Sequence, residues 1–199
     1  MARASEIGCD ISKTVILGDS AGGHLAASLA FAASRPTGST STTLHLPPGA
    51  KLKAQVLLCP VVTPFSPTGS HVRLNSGPLI GNGLITWMWV HYLPDPVRDM
   101  ANPRVSLLID DDVDFAHALP PTVVVTAHFD PLCDEGDMLA ERLASKGTQV
   151  FAVRRLEAHC MYDPSTTDWA FAAAKALIHD EAVPTINAPR WKPKPKPKP

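Results

Sequence analysis

The chain has 199 residues, of which 45% are apolar and 19% are charged, and its formal net charge at pH 7 is −1. This length allows one domain with a sizeable core, and no apolar run is long enough to span a bilayer, so we expect no membrane-spanning segment. Positive charge is concentrated in residues 190–199 and the rest of the chain is mildly acidic, which gives no reason to expect nucleic acid as a partner.

The N-terminus and the cysteines predict a cytoplasmic protein without a bound metal. No apolar stretch follows Arg3, so the start of the chain does not resemble a secretory signal. The cysteines, Cys9, Cys59, Cys133 and Cys160, are widely spaced and include no C-x-x-C pair. We therefore expect no zinc motif, no redox motif and no disulfide framework.

Short apolar segments alternate with helical stretches along the chain. Runs of Val, Ile, Leu, Phe and Thr without strict alternation are typical of strands covered on both faces. The predicted strands are Thr14–Gly18, Ala54–Cys59, Pro121–Ala127 and Thr148–Val153. The predicted helices are Ala21–Ser34, Leu84–Tyr92, Asp134–Lys146 and Pro164–His179. Residues 36–50 and 60–82 are expected to be irregular. This order predicts an α/β fold with a mainly parallel sheet flanked by helices.

The end of the chain has a different composition from the rest. Lysine alternates with proline over residues 192–199. Proline prevents helix formation and the lysines repel one another. We therefore expect residues 184–199 to form a disordered Lys/Pro-rich tail and residues 1–183 to form the folded domain.

A candidate nucleophile follows the first predicted strand. The pattern G-x-S-x-G is matched by Gly18-Asp19-Ser20-Ala21-Gly22, and Gly23 extends it. In such an elbow the chain turns sharply from strand to helix and exposes the serine hydroxyl. Glycines two positions before and after the serine remove side chains that would collide. The alternative is a tight strand–helix turn in a phosphate-binding or inert α/β protein.

An acid and a base are predicted at the same edge of the sheet. The carboxyl ends of parallel strands share one edge, and Ser20, Asp130 and His159 follow the first, third and fourth predicted strands. A serine hydroxyl needs a base within hydrogen-bond reach, and the base needs a carboxylate to orient it. We predict Ser20 as nucleophile, His159 as base and Asp130 as orienting acid.

Other acidic residues have simpler interpretations. Asp134 and Glu135 begin a predicted helix, where we expect them to act as caps. Asp110–Asp112 form a charge run typical of a solvated loop. Glu157 is so close to His159 in sequence that a local charge contact is expected.

Other histidines are weaker candidates for the base. His24 lies one helical turn beyond Ser20, where no third group would orient it. His128 lies two residues before Asp130 and could support its carboxylate. The remaining histidines have no supporting spacing; they are His45, His71, His91, His117 and His179.

These motifs resemble those of a known family. The segment 18–23 resembles the nucleophile elbow of the hormone-sensitive-lipase-like esterases, the α/β-hydrolase-3 group. Asp130-Pro131-Leu132-Cys133-Asp134-Glu135-Gly136 is similar to their acid motif, whose first Asp is the triad acid. The segments 87–89, 92–94 and 119–121 are similar to intervening family segments. The resemblance covers about residues 6–177. It implies the α/β-hydrolase fold and hydrolysis of carboxylic esters, often with short or medium acyl chains, without a cofactor.

Two departures separate the chain from the family pattern. Cys160-Met161 follow the predicted base where the family usually has Gly-Phe. The family's His-Gly-Gly-Gly loop is not among the 19 residues before Ser20, which leaves the N–H of Ala21 as the predicted oxyanion donor. The chain therefore resembles the C-terminal part of the family. We expect a truncated sheet whose first strand forms an exposed edge that favours self-association.

Three functions remain open from the sequence. The first is an esterase acting on a small-molecule ester. The second is a ligand-binding protein on the same scaffold, as in receptors of the gibberellin type, which lack the catalytic histidine; the presence of His159 favours the enzyme. The third is a catalytically inactive fragment, which the missing oxyanion loop favours.

Overall fold

A computed structural model describes residues 4–35, 46–64, 68–77, 79–109 and 118–186. The strands are β1 (Thr14–Asp19), β2 (Leu52–Leu58), β3 (Thr122–Phe129) and β4 (Val150–Ala158). The helices are α1 (Ala21–Ser34), α2 (Gly69–Arg73), α3 (Asn82–Tyr92), α4 (Pro96–Asp99), α5 (Cys133–Ser145) and α6 (Pro164–Ile178). Short 3₁₀ turns at Ser5–Ile7 and Ile11–Lys13 precede β1.

The four strands form one parallel sheet in the order β1-β2-β3-β4. Each strand therefore pairs with its neighbours in the chain, with Leu57 opposite Val124 in the two central strands. The predicted parallel α/β arrangement is confirmed. Since all four strands run the same way, their carboxyl ends meet at one edge.

Helices cover both faces of the sheet. Leu57 of β2 packs in a cluster with residues of α1 and α5, whereas Val56 and Leu58 pack in a second cluster with α6. Successive side chains of a strand point to opposite faces. With both faces covered, most positions of a central strand are apolar, which explains why these strands show no strict polar alternation. The buried Gln55 of β2 is an exception, and its amide donates to the Thr122 hydroxyl of β3 at 2.7 Å.

A third apolar cluster lies beyond the carboxyl edge of the sheet. It joins α3, through Ile85 and Trp89, to Val61 after β2 and Leu132 after β3. This packing holds α3 over the end of the sheet where β1 leads into α1. The helix therefore forms a wall above the predicted elbow.

Helices α2 and α4 are not among the predicted elements, and β4 is longer than predicted. The segment expected to be irregular over 60–82 contains α2, which begins after Thr68, whose hydroxyl accepts the N–H of His71 at 3.4 Å. Strand β4 continues five residues beyond Val153, through Arg154 and Arg155. Arg154 is paired with Asp134 and Asp137 of α5, and Arg155 is paired with Glu157 of the same strand, so the strand continues where an apolar pattern alone would end it.

Some expectations fall outside the described residues. These are the loop over 36–45, the charge run Asp110–Asp112, the histidines His45 and His117, and residues 187–199 of the expected tail. Within the described ranges, none of the helices combines the length and apolar character that crossing a membrane requires.

Candidate active site

Ser20 lies in the sharp turn between β1 and α1. Its backbone is in the left-handed region, with φ 55° and ψ −118°, which is strained for a residue with a side chain. Three hydrogen bonds hold it there. The Ser20 N–H donates to the Leu58 carbonyl at 2.8 Å, and the Ser20 carbonyl accepts the N–H groups of Val61 and His24, each at 3.2 Å. The strained turn is therefore fixed by the end of β2.

Two of the three elbow glycines, Gly18 and Gly23, lie where a Cβ would be too close to neighbouring atoms. A Cβ on Gly18 would overlap the Gly22 carbonyl, and a Cβ on Gly23 would come within 3.0 Å of Pro60. A Cβ on Gly22 would meet no described atom within 4 Å. The expectation that Gly22 prevents a collision is therefore wrong among the described residues, because a side chain at Gly22 would point into open space.

Asp130 and His159 follow β3 and β4 and lie beside Ser20. The Asp130 carboxylate is fully buried; it accepts the Leu132 N–H at 2.9 Å and lies 2.8 Å from His159 Nδ1. His159 Nε2 lies 2.8 Å from Ser20 Oγ. Since a carboxylate only accepts, Nδ1 carries the ring proton and Nε2 accepts from the serine hydroxyl. The structure thus brings the three predicted residues into one hydrogen-bonded chain.

Asp19 connects the elbow to the segment after β4. Its carboxylate accepts from the Tyr162 hydroxyl at 2.7 Å and from the Cys160 thiol at 3.1 Å. Cys160 has a left-handed backbone, with φ 54°. Burial and the hydrogen bond to Asp19 raise the pKa of the Cys160 thiol to about 12. The thiol therefore stays protonated at neutral pH and holds the turn that carries His159.

An apolar cavity of about 200 Å³ opens beside Ser20. Residues of α1, α3 and the segment after β2 line it. They are Ser20, Ala21, His24, Leu25, Val61, Ile85, Met88, Trp89 and Tyr92. Ala21 is the first residue of α1, so its N–H has no acceptor within the helix. The positive end of the helix dipole therefore lies at the cavity that Ala21 lines.

A family model for the alpha/beta hydrolase fold matches residues 1–162. The chain belongs to this α/β-hydrolase family. Two curated relatives are the carboxylic ester hydrolase LipN of Mycobacterium tuberculosis, 33% identical, and an arylesterase of Saccharolobus solfataricus, 32% identical. The alignments cover 74% of this chain and 36% of LipN, and 76% of this chain and 45% of the arylesterase.

The fold comparison agrees with the sequence comparison. A hyperthermophilic esterase from Pyrobaculum calidifontis superposes with a TM-score of 0.72 at 29% identity, over 90% of this chain and 56% of that one. The predicted α/β-hydrolase fold is confirmed. The chain spans less than half the length of the two curated relatives.

Among the described histidines of this α/β hydrolase, neither His24 nor His128 contacts Asp130 in the way that His159 does. His24 is buried, with Nδ1 3.2 Å from the Val61 carbonyl and Nε2 3.2 Å from the Arg104 carbonyl. Burial lowers the pKa of the His24 ring. His128 is exposed and packs edge-on against Phe129. His24 therefore forms part of the cavity wall, and the expected support of Asp130 by His128 is not seen among the described contacts.

The rival acidic residues have partners that the sequence did not indicate. Asp134 was expected to cap α5, but its carboxylate accepts from Arg154 at 2.9 Å and from the Ser70 N–H at 2.8 Å. Since α5 begins at Cys133 and Leu132 is its N-cap, Asp134 lies inside the first turn and is not the capping residue. Glu157 was expected to contact His159, but it accepts from Thr166 at 2.6 Å. Both expectations are wrong because tertiary partners compete for these carboxylates.

Glu135 was also expected to be a cap, and this too is wrong. The carboxylate is fully buried; Oε1 accepts the Val62 N–H at 2.6 Å, and Oε2 lies 3.4 Å from His71 Nε2. Val62 follows Val61, which lines the cavity and bonds to Ser20. Glu135 therefore holds the segment that supports the elbow from behind. No local pattern predicts this contact, because the three residues come from three separate segments.

Glu135→Gln is expected to make the free energy of unfolding less sensitive to rising pH. Burial raises the pKa of the Glu135 carboxyl above its usual value of 4.5, so the folded state holds this proton more tightly than the unfolded state. Wild-type stability is therefore lost as pH rises from the unfolded pKa through the raised folded pKa. The glutamine retains an oxygen for Val62 and cannot ionise.

Urea unfolding followed by tryptophan fluorescence between pH 5 and 8 measures this effect. The free energy of unfolding of Glu135→Gln minus that of the wild type should increase with pH. The exposed Glu181→Gln serves as the control and should give a constant difference. A difference for Glu135→Gln that stays constant or falls with pH would contradict the assignment.

Proposed function

We propose that this chain carries the nucleophile, base and orienting acid of a serine carboxylic ester hydrolase. The observation that supports the proposal is the hydrogen-bonded chain from Asp130 through His159 to Ser20, with both contacts at 2.8 Å. It lies at the carboxyl edge of the sheet in a family whose curated relatives include ester hydrolases. A purely ligand-binding protein would have no need for this proton path.

The proposed reaction has two stages. Ser20 Oγ attacks the ester carbonyl carbon while its proton passes to His159 Nε2, and the Ala21 N–H stabilises the oxyanion. The intermediate collapses, and the leaving alkoxide takes the proton from Nε2. Water then gives a proton to Nε2 and attacks the acyl-enzyme, and Ser20 recovers its proton as the acid leaves. Asp130 holds Nδ1–H throughout, so the imidazole keeps the correct tautomer.

The cavity supports a substrate with a short or medium apolar chain. Its volume of about 200 Å³ is below the range of roughly 300–1,000 Å³ that is usual for ligand pockets. Val61, Met88 and Trp89 give it apolar walls next to Ser20. A short acyl or alcohol group would lose its contact with water there, whereas a long chain would extend beyond the walls.

The proposed function is tested with a fluorophosphonate probe and a series of nitrophenyl esters. The probe should label the chain, and hydrolysis of the acetate and butyrate should exceed that of the palmitate. His159→Gln should remove labelling and hydrolysis, because the glutamine cannot take the serine proton. His179→Gln, at an exposed position after α6, is the control and should behave like the wild type. Absence of labelling in a folded wild-type chain would refute the proposal.

We also propose that the isolated 199-residue chain self-associates along β1. This strand forms one edge of the described sheet. Near it Leu17, Leu25 and Leu29 are 42%, 56% and 44% exposed, and an exposed apolar edge favours pairing with another chain.

Size-exclusion chromatography with light scattering tests this association. The double variant Leu25→Lys, Leu29→Lys should shift the protein toward monomer, since added charge opposes an apolar contact. The matched control is Leu156→Lys on β4, which is 73% exposed and far from β1 in the sheet. A monomeric wild type, or equal effects of the two changes, would rule out β1 as the association surface.

A further inference from the structure

A buried thiol lies beside the Asp130–His159 pair and has no part in the proposed ester hydrolysis. Cys59 follows the last residue of β2, and it is 1% exposed. Its sulfur, an Asp130 carboxylate oxygen and a His159 ring nitrogen all lie within 4.8 Å of one another. All three side chains are buried.

The backbone holds Cys59 in this position. Its N–H donates to the Val125 carbonyl at 2.8 Å, which ties it to the strand that leads to Asp130. Its φ of 41° lies in the left-handed region, so the chain turns sharply after β2. The thiol is therefore presented to the Asp130–His159 pair by strained but hydrogen-bonded backbone.

We propose that Cys59, Asp130 and His159 form a binding site for a thiophilic divalent cation such as Zn²⁺ or Cd²⁺, and that binding blocks the proposed catalysis. The blocking effect rests on the proposed function; the binding does not. A thiolate, an imidazole and a carboxylate are the donor types that zinc prefers. Mg²⁺ and Ca²⁺ prefer oxygen ligands alone and should not compete.

The distances between the three donor atoms suit a tetrahedrally coordinated ion after a small movement of the side chains. Zinc with these ligands requires donor atoms roughly 3.3–3.6 Å apart, as follows from its bond lengths and tetrahedral angles. Asp130 Oδ2 and His159 Nδ1 are now 2.8 Å apart, and the sulfur lies within 4.8 Å of both side chains. The pair must open slightly while the sulfur approaches. A water molecule would complete the coordination.

Binding would remove the base by changing its tautomer. Nδ1 is the ring nitrogen that faces Asp130, so the cation would take the place of the Nδ1 proton. That proton moves to Nε2, which then donates to Ser20 Oγ and can no longer accept its proton. The Cys59 thiol proton is released to solvent. The thiolate and the Asp130 carboxylate together balance the two positive charges of the ion, which limits the cost of burial.

Cobalt binding tests the site without depending on activity. The 199-residue chain is titrated with Co²⁺, and thiolate coordination is followed by its charge-transfer absorption; Zn²⁺ should displace the cobalt and excess Mg²⁺ should not. Cys59→Ser should abolish the absorption band and weaken Zn²⁺ binding by at least about a hundredfold, since even indirect changes at metal sites cost up to that much. Cys9→Ser, at an exposed cysteine, is the control and should keep the band.

A second variant separates ligand loss from misfolding. His159→Ala removes a ligand without changing β2, and it should also weaken Co²⁺ and Zn²⁺ binding at least about tenfold. Absence of the band in the wild type, or its survival in Cys59→Ser, would overturn the inference. If the cobalt band is present but fluorophosphonate does not label the chain, the metal site is supported and the proposed function is refuted. If Zn²⁺ slows fluorophosphonate labelling and a chelator restores its rate, both the metal site and the proposed function are supported.

Discussion

Ser20→Ala is expected to abolish fluorophosphonate labelling and to reduce ester hydrolysis by at least about a thousandfold. Ser20 Oγ lies 2.8 Å from His159 Nε2, and the strained backbone at φ 55° presents the hydroxyl at the cavity. Removing the hydroxyl leaves the base with no proton to accept. Labelling is measured by fluorescence in gels, and hydrolysis by release of nitrophenol from the acetate ester.

Ser28→Ala is the matched control, because Ser28 lies two turns further along the same helix. It should keep both labelling and hydrolysis. Circular dichroism checks that the two variants fold alike. If Ser20→Ala is labelled as strongly as the wild type, another residue reacts with the probe and the assignment of the nucleophile fails.

Gly18→Ala is expected to lower the free energy of unfolding by about 4 kcal/mol or more, which is at the large end for a single substitution. The added Cβ would overlap the carbonyl of Gly22, a backbone atom that no rotamer change can move. Relief would require β1 and α1 to separate at the elbow. Urea unfolding followed by tryptophan fluorescence measures the loss.

Gly22→Ala provides the comparison on the same turn. Its Cβ would meet open space among the described residues, and alanine is favoured over glycine in a helix by about 1 kcal/mol. It should therefore be neutral or slightly stabilising. Equal destabilisation by the two substitutions would show that the elbow is not limited by the contact between Gly18 and Gly22.

The unpredicted helix α2 connects the acid segment to the cavity wall. The Ser70 hydroxyl donates to the Pro131 carbonyl at 2.6 Å, directly after Asp130. The His71 carbonyl accepts from the Asn82 side chain at 2.8 Å, at the start of α3. A five-residue helix therefore links the turn that carries Asp130 to the helix that carries Trp89. Changes in α2 would reach the site through these bonds.

Much of the architecture was predictable from local sequence. The bounds of α1 agree with the prediction. Ala and Leu have high helix propensity, and the glycine elbow and Pro36 mark the two ends of the segment. The four strands were found from apolar runs that two covered faces require. The positions of Ser20, Asp130 and His159 followed from a general rule, that parallel strands bring their carboxyl ends to one edge.

The tertiary structure decided which side chains meet at that edge and what surrounds them. Glu135 binds Val62 across 73 positions of sequence, and Cys59 meets Asp130 and His159 from three different strand ends. Sequence spacing does not predict such contacts, because they depend on the packing of distant segments. From sequence alone, a carboxylate at the start of a helix is expected to be a cap. In the folded chain, burial and a partner from another segment can give it a different role. The sequence thus determined the four strands, their order and the longer helices, whereas three-dimensional packing determined the short helices and the partners of each polar group.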